Sequence, residues 1–141
     1  MNRLQGLLVK HEGFRNKPYE DTNGFISIGV GRNLDDLGLS DEEVMHLLDN
    51  DIKRCDRELL SNFEWYANLC RCRQDAMLSL CFNLGITRLL KFKKALAAME
   101  ARDYDTAADE FLDSKWATQV GSERVEDIVS MIRTGVYATV F

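Results

Sequence analysis

Between Asp41 and Leu59 the apolar residues Val44, Leu48, Ile52, Cys55 and Leu59 recur at steps of three and four. That periodicity predicts one long amphipathic helix over residues 41–60. Its start is equally legible, because Ser40 stands at an N-cap position and Glu43 completes a capping box three residues later. A helix this long in a chain of 141 residues is a strut joining two lobes.

The stretch before the strut carries the chemistry. Leu4, Leu7 and Leu8 fall at helical spacing over residues 3–11, and Gly13 is the residue type that closes a helix. Pro18 forbids continuation, and the turn cluster Asp21-Thr22-Asn23-Gly24 leads into the β-formers Phe25-Ile26-Ser27-Ile28. A small hairpin is predicted, with Glu12 at the helix end, Asp21 in the turn and Ser27 on the following strand. Cleavage of a glycosidic bond needs two carboxylates of unequal surroundings, one donating a proton to the leaving oxygen and one ionised beside water. A Glu against apolar helix residues suits the first task, and an Asp in a polar turn suits the second. On spacing alone such a pair is more often a solvated acid and a turn-forming Asp.

The whole string carries more weight. Glu12-Gly13-Phe14-Arg15, Tyr19, Asp21-Thr22, Gly24 and Ser27-Ile28-Gly29-Val30-Gly31 resemble, in order and spacing, the phage-type lysozymes, the endolysin muramidases of glycoside hydrolase family 24. The resemblance resumes at Arg73-Gln74-Asp75-Ala76 through Cys81-Phe82-Asn83-Leu84-Gly85, at Ser114-Lys115-Trp116 and at Arg133-Thr134-Gly135. It implies Glu12 as general acid, Asp21 as water-positioning carboxylate and Ser27 at the position of a threonine. It also implies substrate contacts from Gly31, Arg32, Asn83 and Arg124, with Arg124 beside the catalytic Glu. Two departures stand out. Ser27 keeps the hydroxyl without the methyl group that locks a threonine rotamer, and Arg32 replaces a histidine. Arg32 and Asp51 stand where relatives pair a His with an Asp, so an ion pair between them is expected.

The implied fold is α+β and predominantly α-helical, a small β-hairpin lobe joined by a long helix to a larger helical lobe. The N-terminal lobe covers about 13–50 with the connecting helix at about 41–60. The helical lobe covers about 61–141 and receives the N-terminal helix 1–12, with the cleft between lobes. The segment between hairpin and strut, 33–39, is a short polar connection, so loop structure found there in relatives is missing.

Composition allows this reading. A chain of 141 residues suits one domain with a sizeable core. A net charge of −5 argues against nucleic acid as main partner. The charge is unevenly spread: residues 52–94 hold nine basic and four acidic side chains, whereas 1–51 hold five and ten. This basic island suits an anionic polymer such as a cell wall, or is simply a solvated helix surface. Cys55, Cys70, Cys72 and Cys81 form no zinc spacing, so neither metal nor cofactor is expected. No signal peptide or membrane span is legible. The resemblance then implies a chain that stays in the host cytoplasm until a separate permeabilising protein releases it.

In the second lobe, Arg73 to Leu84 reads as a helix stopped by Gly85, with Asn83 capping the helix end or offering hydrogen bonds to an acetamido group. Leu90 to Arg102 reads as the next helix, and another begins at Asp103. Ser122 is read as N-cap of a last helix with Val125, Ile128, Val129 and Ile132 inward. The expected activity is metal-free hydrolysis of the β-1,4 bond between N-acetylmuramic acid and N-acetylglucosamine in peptidoglycan, by a monomer. Two rivals are a peptidoglycan-binding module of the same fold without turnover, and a lytic transglycosylase, which needs one acid and no activated water.

Overall fold

A computed structural model describes residues 1–139. The architecture is α+β and mostly helical, with eight α-helices and one three-stranded antiparallel sheet among the described residues. The chain divides into two compact units, Met1–Leu47 and a second beginning at Leu48. Helix α2, Asp41–Asn62, is continuous through the division.

In the first unit, α1 spans Arg3–Glu12. Asn2 and Gln5 cap it reciprocally, each side chain bonding the other's backbone N–H, which satisfies two donors a helix start otherwise leaves unpaired. Gly13 ends it at φ +84°, a conformation that suits glycine. Strands β1 (Arg15–Glu20), β2 (Ile26–Gly29) and β3 (Arg32–Asn33) follow in that spatial order. Pro18 lies in β1, an edge strand, where its missing donor is tolerated. The β1–β2 register is irregular between Arg15 and Tyr19, the segment that holds Pro18. The hairpin expected from the turn cluster is present, and β3 adds a strand that its two residues were too few to signal. The capping box expected at the start of α2 forms in full: Ser40 N–H donates to Glu43 Oε1 at 2.9 Å, and Glu43 N–H to Ser40 Oγ at 3.2 Å.

The second unit holds the apolar core. Leu59, Tyr66, Met77, Leu80, Leu89, Met99, Phe111 and Ile132 are fully buried. Helices α3 (Arg71–Leu84), α4 (Ile86–Leu89), α5 (Lys93–Glu100), α6 (Tyr104–Leu112), α7 (Lys115–Gln119) and α8 (Ser122–Thr134) surround it. Arg73 ties α3 to the end of α8: its Nε donates to the Ile132 carbonyl at 2.7 Å and its guanidinium stacks 3.7 Å over the Tyr104 ring. Such a fork satisfies terminal carbonyls that a helix leaves open.

Two expectations change here. The helix expected over 90–102 is shorter, α5 at Lys93–Glu100, because Phe92 stands before it as N-cap at φ −81°, ψ 59° and packs its ring 5.7 Å from Phe111. Apolar spacing runs on past such a boundary, so periodicity does not reveal it. Helix α8 begins at Ser122 itself, with Gly121 as its N-cap. After α2 comes a 3-10 turn, Glu64–Asn68.

Candidate active site

Glu12 is the last residue of α1 and is exposed rather than buried. Its close neighbour is Gly31: a β-carbon at position 31 would stand 2.9 Å from Glu12 Oε2 and 3.3 Å from Glu12 Cβ. Gly31 also adopts φ +66°, where side chains are strained. Two separate requirements therefore converge on glycine, and the sequence run Gly29-Val30-Gly31 supplies it. The carboxylate lies against bare main chain.

Asp21 is anchored through one oxygen. Its Oδ1 accepts from the N–H groups of Asn23 and Phe25, both at 2.9 Å, and its own N–H donates to the Phe25 carbonyl at 2.8 Å. The Asx-type turn predicted from Asp21-Thr22-Asn23-Gly24 is what holds the side chain. Both bonds fall on Oδ1, so Oδ2 is left to other donors.

Ser27 sits in the central strand, paired with Tyr19 on one side and Asn33 on the other. At 3% exposure it is the one buried polar residue among those described. The strand is held by a residue that sequence reading missed. Asp35 Oδ2 accepts from the Ile26 N–H at 2.7 Å, and the Leu34 N–H donates to the Ile26 carbonyl at 2.8 Å. Asp35 follows β3, so its carboxylate continues the ladder where the backbone has turned away. The Asn33-Leu34-Asp35-Asp36 cluster was the available signal, since Asx residues bond nearby backbone. Asn33 Oδ1 does so, accepting from Asp36 N–H at 3.0 Å.

Arg32 does not pair with Asp51. Its Nη1 lies 2.8 Å from Glu43 Oε1 and 3.1 Å from the Gly38 carbonyl, whereas Asp51 bonds Arg54 at 2.5 Å. Local reach decides this: Asp51 and Arg54 are three apart on one helix, and Arg32 meets the first turn of α2. The Arg32 guanidinium, with the Ser40 cap, brings the Glu43 carboxyl down to about 2.

Asn83 and Arg124 belong to the second unit. Asn83 Oδ1 accepts from Trp116 Nε1 at 2.9 Å. This answers the need of a buried indole for a hydrogen-bond partner, so the amide is neither a helix cap nor wholly devoted to a ligand. Arg124 is exposed and lines a groove of about 400 Å³ with Ser79, Asp127 and Met131. Among the described residues no cluster of three or more His, Cys, Asp or Glu is placed to hold a metal ion. No described helix is long and apolar enough to cross a membrane.

A family model described as phage lysozyme matches residues 9–131, a span that includes Glu12, Asp21, Ser27, Gly31, Arg32, Asn83 and Arg124. The chain belongs to the phage lysozyme family. Relatives of this family include "Probable T4-type lysozyme 1" of Dictyostelium discoideum, 26% identical with 96% of each chain covered. "Probable T4-type lysozyme 2" of the same organism is 27% identical with the same coverage. The chain also resembles part of the "Pre-baseplate central spike protein Gp5" of Enterobacteria phage T4, 27% identical over 92% of this chain and 27% of that protein. Family membership supports a lysozyme-like glycoside hydrolase acting on peptidoglycan.

Proposed function

We propose that this chain is a muramidase that hydrolyses the β-1,4 bond between N-acetylmuramic acid and N-acetylglucosamine. The observation that carries the reading is the seating of the Glu12 carboxylate against the bare main chain of Gly31, at the end of a capped helix. Such seating fixes an acid in place and leaves its surface open to a sugar. Glu12 donates its proton to the glycosidic oxygen as the bond to the anomeric carbon breaks. Asp21, held by Oδ1, uses its other oxygen to take a proton from a water, whose oxygen forms the new bond to the anomeric carbon. The Ser27 hydroxyl orients that water. With water entering opposite the leaving group, the anomeric centre inverts.

The test is product chemistry on purified peptidoglycan. Reducing muramic acid ends, released first as the α-anomer, are expected. Anhydromuramic ends would assign a lytic transglycosylase instead, and absence of any cleavage would leave a binding module.

A further inference from the structure

Outside these residues lies a second feature, where α2 gives way to the 3-10 turn and faces α5. A pocket of about 540 Å³ is lined there by Asn62, Phe63, Glu64, Trp65, Lys93 and Glu100, among others. It shares no lining residue with the candidate active site. Phe63 is buried and stacks on Trp65 with ring centroids 4.9 Å apart, which fixes the indole plane at the pocket wall. The two tryptophans differ in a telling way. Trp116 is buried with its N–H bonded to Asn83, whereas Trp65 is half-buried and its N–H bonds no described residue. Asn62 spends its amide N–H on the Glu58 carbonyl at 2.8 Å, which leaves its side-chain oxygen as an acceptor.

The pocket wall itself holds Glu64, Lys93 and Glu100, and the chain around Lys93 adds three more cations. Arg88, Lys91, Lys93 and Lys94 are all exposed, and none makes an ion pair with a described residue. No Asp or Glu occurs from 76 to 99. In a chain of net charge −5, these four cations within seven positions outnumber the two carboxylates, Glu64 and Glu100, at the pocket wall. A flat aromatic wall with donors and acceptors beside it suits the apolar face and hydroxyl rim of a sugar ring. The cations suit a polymer that repeats carboxylates along its length.

We infer that the Trp65 pocket and the Arg88–Lys94 cations form a second glycan site, which anchors a carboxylate-bearing peptidoglycan strand apart from the bond being cut. The site rests on the peptidoglycan reading for its ligand, but it is tested by binding alone. Sugar stacks on Trp65 and bonds its N–H and Asn62. Glu64 and Glu100 accept from sugar hydroxyls, and the cations meet stem-peptide carboxylates.

The experiment is cosedimentation with insoluble peptidoglycan sacculi, using Glu12→Gln protein so that the strands survive. Three proteins are compared, this parent, parent plus Trp65→Ala, and parent plus Lys91→Ala/Lys93→Ala/Lys94→Ala. Loss of about fivefold in affinity is expected for the Trp variant and about tenfold for the lysine variant. Amidating the stem-peptide carboxylates should weaken the parent and leave the lysine variant unchanged. The lysines are exposed, so that variant folds even if loss of the packed indole unsettles the Trp variant. Undiminished binding by the lysine variant, or equal parent binding to native and amidated sacculi, overturns the site. Hydrolysis by wild-type protein, measured beside it, reports separately on the muramidase reading. An inactive protein that still binds through these lysines sinks the enzyme and keeps the site.

Discussion

The Glu12 carboxylate and the α-carbon of Gly31 approach so closely that a β-carbon at position 31 would fall 2.9 Å from Oε2. The proposed active site is built around that approach. Gly31→Ala must displace the carboxylate and also strain a backbone at φ +66°. A fall in kcat/KM of about a hundredfold is expected from the misplaced acid, with about 1 kcal/mol of lost stability. Turbidity decline of peptidoglycan and a thermal melt measure the two effects.

Asp21→Asn separates charge from position. The amide oxygen can still accept from Asn23 and Phe25, so the turn survives and Tm should move little. Activity should fall by about a thousandfold, because no base remains to accept the proton of water. Asp21→Ala should lose both activity and turn stability, which comparison of the two melts reads directly.

The Arg32–Glu43 bond gives the first unit an acid-sensitive tie. Glu43 is held below its ordinary value of 4.5, at about 2. A depressed carboxylate contributes stability that is fully present above its unfolded value and lost as pH falls through its folded one. Wild type should therefore exceed Glu43→Gln in Tm above about pH 5, and the gap should close on the way down to pH 2. A gap that is constant with pH would remove the ion pair as its source.

The Asn83–Trp116 bond predicts a stability effect from a residue that the family resemblance marks for substrate. Asn83→Leu should cost about 1 kcal/mol in urea unfolding by leaving the indole N–H unpaired. Trp116→Phe in the Asn83→Leu background should then cost less than it does alone.

Of the four thiols, only that of Cys70 is exposed. Burial pushes Cys81 up to about 12 and raises Cys72 as well. Native protein should thus show one fast-reacting thiol towards a disulfide reagent, absent in Cys70→Ser, with the rest appearing only on unfolding.

Local chemistry was the legible part of the sequence. The Ser40–Glu43 box, the turn at Asp21 and the closing glycines Gly13 and Gly85 act within a few residues, and each is where residue type placed it. Three features were decided by partners too far away to read. Phe92 stays outside α5 and meets Phe111, Arg32 finds Glu43 rather than Asp51, and Asp35 reaches back to the Ile26 N–H. Seven site residues were named from the string, and the first unit gives Glu12 and Gly31 a direct contact. Glu12 was expected among apolar side chains, but α1 buries none of its residues, because leucine spacing states which face is apolar and not what covers it.

The most direct test of Glu12 as the acid is a side-by-side rate of reducing-end release from peptidoglycan by wild type and Glu12→Gln, with both folds confirmed by melting. A drop of about a thousandfold or more in the variant is expected from loss of the donated proton. Equal rates for the two proteins would contradict the account.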